Sequence, residues 1–506
     1  MAEKSRFTVA AVLEEAVAGT LESPTASTEY IPLQDGAYEM DPAFETLENA
    51  ELRASIGRAK PILGLESPTA SLSHYLKGSG TEGQRPAYAP LIKSAFGDEE
   101  LNATEYSTDT GSTTSVIVVP TGDGANFLRG EGLLIKDSAN VWSIRPIESV
   151  SGDNLTLAFN LDNAPAAGVD LGKAVKYTVA DDGHPSLSLW YFQGNGGAIE
   201  AESGLLVSEM NLTAETGQPV QCDFSMEGNE YFFDPIEITS TTHSIDFVTD
   251  AGTHVATLAT DIYKDPYEMA AEIESKMNGQ LTGGEAVTVT YNSRGTDKGK
   301  FTIVATGTAV FSILWNNGVN VATSAGATLG FDAVNDTGAL TYKSDVVQDW
   351  SSYQAPTYDP TDMLVAKNQE VFIGDADDNV CACVQSLTFN LTNTVEKVPC
   401  ICEESGVLER VITKREISVD IVMLLERHEA ENFHRFHTND EVKFMYAFGT
   451  KTGNNWNPGE SGCLYLPDAT IQNFNVTDTD GLVTIELTLY AFVNEDGDPE
   501  CYLNFL

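Results

Sequence analysis

The sequence reads as a mainly β (α+β) protein, and two observations predict this. Short runs rich in Val, Ile, Thr, Phe and Tyr alternate with polar residues and stop at Gly, Asp or Asn, while segments with helical spacing are few. Leu387, Phe389 and Leu391 alternate with Ser386, Thr388 and Asn390. Ile417, Val419, Ile421 and Met423 alternate with Glu416, Ser418 and Asp420, and Val483, Ile485, Leu487 and Leu489 with Thr484, Glu486 and Thr488. Strands of this kind bury one face and present a polar, often acidic face on the other side.

Taken along the chain, three helices are expected. Tyr88 to Phe96 is the first. Pro266 opens the second, with Met269, Ala270, Ile273 and Met277 on one side and an end near Gly279. Leu424 to His437 is the third, with Leu425, Phe433 and Phe436 as its apolar stripe. Strands at Ser115–Pro120, Gly130–Lys136, Val141–Pro146, Leu155–Asn160 and Val175–Val179 make a small β insertion over residues 115–184. Residues 236–350 form a second insertion of β-β-α-β-β order, closed by Leu329-Gly330-Phe331. The Asp480-Gly481 pair marks a hairpin.

What remains reads as a diverged duplication. A helix ends in Ala95-Phe96-Gly97 in one half, and in the other a helix and a strand lead to Ala447-Phe448-Gly449; each half closes with a strand pair, Leu205–Leu212 with Val220–Met226 and Leu464–Val476 with Leu482–Tyr490. The heptapeptide Leu-Glu-Ser-Pro-Thr-Ala-Ser occurs at Leu21 and again at Leu65, and Pro24 and Pro68 mark both copies as loops.

The chain carries 28 Lys+Arg against 75 Asp+Glu over 506 residues, a formal net charge of −47. That length suits three or four domains. Charge of this sign and size argues against stable binding to nucleic acid phosphates or to an anionic membrane surface. No apolar run reaches the length of a transmembrane helix. Lys4 and Arg6 before Phe7–Leu13 imitate a secretory start, but Glu14 and Glu15 interrupt it.

Few residues suggest chemistry. Cys381, Cys383, Cys400 and Cys402 would put four thiols on one face if Val384–Asn390 paired with Val395–Ile401 as a hairpin, which leaves buried free thiols, cross-strand disulfides and a zinc site all open. His428, Glu431, His434 and His437 fall on one expected helix, where an exposed amphipathic face competes with a metal face. No phosphate-binding glycine loop, nucleophile elbow or Cys–His arrangement is present, so neither an enzyme nor a cofactor is expected.

In this layout the chain resembles the major tail tube proteins of long-tailed bacteriophages. The resemblance rests on Tyr30-Ile31-Pro32-Leu33, Glu51 to Gly57, Gly80 to Pro86 and Leu91 to Gly97, then on Ser386 to Asn393, Val411 to Glu416 and the Asp480-Gly481 ending. These cover about the first hundred and the last hundred and fifty residues. The resemblance implies two β-sandwich tail-tube domains, each flanked by a helix, with small β-rich inserted domains. Residues 1–114 and 185–235 would form tube domain 1, residues 351–506 tube domain 2, and residues 236–350 an outward decoration domain. Such chains build stacked rings around a conduit for genomic DNA, here as a homotrimer with a homohexamer as alternative. It further implies a virion protein assembled in the host cytoplasm, whose partners are a tape measure protein and tail terminator or tip proteins, with no membrane role. DNA would pass without specific binding, along a lumen lined by Glu416, Ser418, Asp420 and Glu486. The competing class is a secreted or cell-surface β protein, an adhesin or surface-layer component.

Overall fold

The computed structural model describes residues 8–25, 29–31, 33–50, 57, 59–194, 197–347, 361–377, 383–403, 405–425, 429–479, 481–495 and 497–506. The protein is mainly β, and its largest sheet system links 17 strands. Eight of these matter for function: β1 (Tyr38–Asp41), β2 (Thr69–Tyr75), β3 (Ile199–Glu215), β4 (Gln221–Glu227), β5 (Val384–Pro399), β6 (Val407–Leu424), β7 (Asn455–Thr479) and β8 (Leu482–Ala491). Antiparallel pairings place them in the order β1-β2-β4-β3-β5-β6-β8-β7.

The order repeats. The first half contributes β1-β2-β4-β3 and the second β5-β6-β8-β7, and in each set the second strand is followed in the chain by the same next elements. After β2 comes helix α1 (Ala89–Phe96) and the strand Gly97–Asn102. After β6 comes a helix at Glu429–Thr438 and the strand Glu441–Thr452. The halves join edge to edge through β3 and β5, from Glu209↔Thr392 to Glu215↔Ser386.

A second layer covers the apolar side of this sheet. Its strands run Gly97–Asn102, Ala174–Val179, Tyr502–Phe505, the Gly462–Tyr465 part of β7, Glu441–Thr452 and Glu370–Gly374. The C-terminal strand is therefore wedged between the halves, with Val175↔Phe505 on one side and Gly462↔Phe505 on the other. Helix α1 packs under β3 with Leu91, Ile92, Ala95 and Phe96 fully buried. One core spans both halves, from Ala10 and Leu72 through Phe224 to Phe389, Ile421, Leu487 and Phe505.

Asn393 shows how the joint is fixed. It is buried in β5, and its Nδ2 donates to the carbonyls of Ala95 (3.0 Å) and Val207 (3.1 Å), tying β5 to α1 and β3. A second tie is Arg410 of β6, whose Nε donates to the Gly228 carbonyl at 2.7 Å and whose Nη1 reaches Glu227 at 2.6 Å.

Two smaller units have their own cores. The six-stranded sheet of the first begins at Tyr106 and ends at Leu171, around Ile117, Leu133, Ile135 and Leu155. Ala174–Val179, read above with this insertion, instead joins the main system, because all six of its residues are buried between Gly97–Asn102 and Tyr502–Phe505. The second unit packs helix α2 (Pro266–Asn278) on strands between Ile236 and Lys343, with Leu329 and Phe331 in its core. Asp265 caps α2, accepting from Tyr267 N and Glu268 N. Asn278 and Glu274 of α2 bond the backbone of Val287 and Val289 and so occupy the open edge of the strand Ala286–Asn292.

Three expectations change. The helix expected at Leu424–His437 is α3 (Glu429–Thr438), because β6 continues to Leu424; Leu425 follows that strand and stands exposed. The second heptapeptide copy is not a loop: Leu65-Glu66 ends the strand Ile62–Glu66 and Thr69 opens β2, so only Ser67-Pro68 lies outside a strand. The first copy runs into undescribed residues, as do Pro32, most of Glu51–Gly57 and the linker at Tyr353–Pro360. The expected pairing of Val384–Asn390 with Val395–Ile401 does not form, since β5 runs unbroken from Val384 to Pro399 and pairs with β6.

Candidate functional surface

The eight-strand sheet presents one continuous polar face. Strand alternation puts Cys222, Phe224 and Met226 of β4 into the core and leaves Gln221, Asp223, Ser225 and Glu227 on the other side. The same alternation holds in β2, β5, β6 and β8, so the outward residues line up across the sheet in rows. One row reads Glu39, Ser71, Ser225, Glu209, Thr392, Glu416. The next reads Ser73, Asp223, Asn211, Asn390, Ser418, Tyr490, Thr470. A third reads Tyr75, Gln221, Thr213, Thr388, Asp420, Thr488, Asn473, and a fourth Glu215, Ser386, Val422, Glu486, Asn475.

No Lys or Arg stands in these four rows. Three of the carboxylates are held by neutral donors instead. Asp420 accepts from Thr488 Oγ1 at 2.8 Å and Asn390 Nδ2 at 3.1 Å. Glu486 accepts from Asn475 Nδ2 and Thr477 Oγ1, each at 3.4 Å, and Glu209 from Asn211 Nδ2 at 2.9 Å. At these three the negative charge is oriented but not neutralised. Lys414 lies just past the first row, exposed and 3.5 Å from Glu416.

All four residues expected on an inner face, Glu416, Ser418, Asp420 and Glu486, lie on this one surface. The first half adds Glu39, Glu209, Asn211 and Asp223 to the same face, residues that the sequence reading does not single out. The signal was present in the alternation of Gln221–Glu227.

The metal candidates do not assemble. Cys383 precedes β5 and Cys400 and Cys402 follow it, so a strand of 16 residues separates them; Cys381 lies outside the described residues. On α3, Glu431 pairs with Arg435 at 3.0 Å, while His434 and His437 are exposed; His428 is outside the described residues. Among the described residues no group of three or more His, Cys, Asp or Glu is placed to hold a metal ion.

Buried ionisable groups lie off this face. Glu202 of β3 is fully buried, neither carboxylate oxygen has a hydrogen-bond partner, and burial pushes its carboxyl well above the usual range. Glu200 and Asp41 push it the same way, and Arg410 opposes them. Burial likewise raises the thiols of Cys222, Cys463 and Cys501, that of Cys463 to about 12, which leaves them unreactive.

No protein-family model matches the chain, and no curated protein is significantly similar to it. Among the described residues no helix is long and apolar enough to cross a membrane.

Proposed function

We propose that this chain is a structural ring subunit of the tail-tube kind, whose polar face lines a conduit for DNA. The observation that carries the reading is the repeated order β1-β2-β4-β3 and β5-β6-β8-β7 with one polar face whose four rows hold carboxylates and no cation. The β3–β5 junction inside the chain supplies a template for the junction between chains. The outer edge of β1 and the outer edge of β7 beyond Ile471 stand where β5 and β3 stand in that template. Joining them would leave the eight-strand sheet without an exposed edge.

Width favours three copies over six. Three chains give about 24 strands, which at ~4.8 Å spacing close into a backbone circle roughly 37 Å across before strand tilt widens it. Six chains would double that opening, far beyond what one duplex requires.

The surface chemistry fits passage without retention. Lys and Arg bind DNA by releasing condensed counterions, and four rows without them offer no such anchor. Carboxylates repel the phosphates, while Ser, Thr and Asn keep the wall wetted. By the family resemblance, rings would stack and meet a tape measure protein inside and terminator or tip proteins at the ends. The two inserted units, each with its own core, would project outward.

Negative-stain electron microscopy of concentrated purified protein tests the proposal. Rings or stacked hollow tubes with three chains per ring are expected, and particles of single-chain size throughout the concentration range oppose it.

A further inference from the structure

The sequence feature that the conduit does not use is the exposed thiols, and the fold places them at opposite ends of β5. Cys383 immediately precedes β5, exposed, with its carbonyl accepting from Leu424 N at 3.0 Å. Cys400 and Cys402 immediately follow β5 in the turn to β6; Cys402 is exposed, Cys400 is half-buried, and Ile401 between them is fully exposed at 104%. Sixteen extended residues separate the two sites, roughly 50 Å at about 3.3 Å per residue. No thiol at one end can reach a thiol at the other within one chain.

Both ends also expose apolar side chains that the fold leaves uncovered. Leu425, Leu482 and Val483 flank Cys383, since Leu424 pairs with Thr484 and Leu425 N donates to the Val483 carbonyl. Leu408 and Val411 flank the other end beside Ile401. Apolar ends on a chain of charge −47 are what head-to-tail contact between copies along the strand direction would cover.

We propose that copies stacked along the strand direction become covalently linked by a disulfide between Cys383 of one chain and Cys400 or Cys402 of the next. The proposal rests on the stacked-ring reading. Each link joins two thiols, which lose two protons and two electrons to form one S–S bond; dissolved oxygen takes them up as hydrogen peroxide. In a reducing cytoplasm the thiols stay free and rings can add and leave. Exposure to oxygen after release from the cell then locks the stack. The buried Cys222, Cys463 and Cys501 take no part.

The test is electrophoresis in detergent without reductant, on air-exposed assembled protein whose tubes are counted by electron microscopy in the same sample. A ladder of chain multiples is expected, collapsed by dithiothreitol, with peptide mapping that joins Cys383 to Cys400 or Cys402. The double variants Cys381→Ser with Cys383→Ser, and Cys400→Ser with Cys402→Ser, should each form tubes and lose the ladder. Mixed together, they should give linked pairs and nothing larger. Tubes that run as single chains overturn the linkage and leave the ring reading standing. A ladder mapped to Cys383–Cys383, or one that survives either double variant, overturns the head-to-tail pairing. Absence of both tubes and ladder removes the ring reading and the linkage with it.

Discussion

Thr488 on β8 donates a 2.8 Å hydrogen bond to Asp420 on β6, and no cation stands in the row they share. A charge held this way is oriented by its neighbours yet remains fully available to repel an anion. Asp420→Asn should therefore keep the fold, with a stability change below about 1 kcal/mol in urea titration, because a half-solvated hydrogen bond contributes little net.

Charge reversal on the same face should do what neutralisation does not. Glu209→Lys, Glu416→Lys and Asp420→Lys together place three cations in rows that have none. The variant is expected to retain double-stranded DNA that the parent releases, with a logarithmic salt dependence of slope near −3, about 0.9 per phosphate contacted. Fluorescence anisotropy across a salt series measures it. Binding that ignores salt would speak against an electrostatic origin.

Arg410→Ala should destabilise the chain by roughly 2–3 kcal/mol. It removes two charge-assisted bonds, one of them to the Gly228 carbonyl, and leaves Glu227 beside a void. Glu227 is partly exposed and can take up water, which holds the loss below that of a fully buried pair. Urea midpoints at constant m-value check this.

Glu202 predicts a pH dependence. Its folded carboxyl holds its proton to higher pH than in the unfolded chain, where it titrates near about 4.3. Below that value both states are protonated and stability is unaffected by this group. As pH rises from there through the folded pKa, the unfolded state loses its proton more readily and stability falls. Glu202→Gln should flatten that decline, so thermal unfolding at pH 8 should show the variant gaining relative to the parent, and at pH 4 the difference should shrink. A constant difference across pH would mean that Glu202 is not held neutral.

Leu503→Ala should cost about 3 kcal/mol, within the range for emptying a fully buried leucine site. Leu503 sits at 0% exposure in the C-terminal strand between both halves, so its loss should lower one cooperative transition rather than split it in two. Calorimetry distinguishes the cases.

Much of the acidic face was legible because strand alternation is local. Ile417 to Met423 and Ile485 to Leu489 carry their burial in their own period, and the polar residues between them land where the period puts them; Val483, expected inside with them, is exposed, and Thr484 is buried instead. The partner of β5 was not legible. Thr392-Asn393-Thr394 has the composition of a turn, yet Asn393 is buried and spends its amide on Ala95 and Val207, so the strand continues. A turn at these residues would fold the cysteines onto one another, whereas the continuous strand sends them to opposite ends of β5. Ala174–Val179 was misassigned for a similar reason: six buried residues in a row carry no period that says which sheet receives them. The short β1 escaped notice because four residues with one buried side chain, Met40, make a weak signal.

The central claim is that Glu209, Asn390, Ser418 and Asp420 face a channel built from several copies of this chain. An electron cryomicroscopy reconstruction of the assembled protein tests it most directly. A hollow tube is expected with three chains per ring, β7 of one chain paired with β1 of the next, and these four residues on the inner wall. A tube with this face turned outward, or a particle that buries it against another protein surface, would contradict the account.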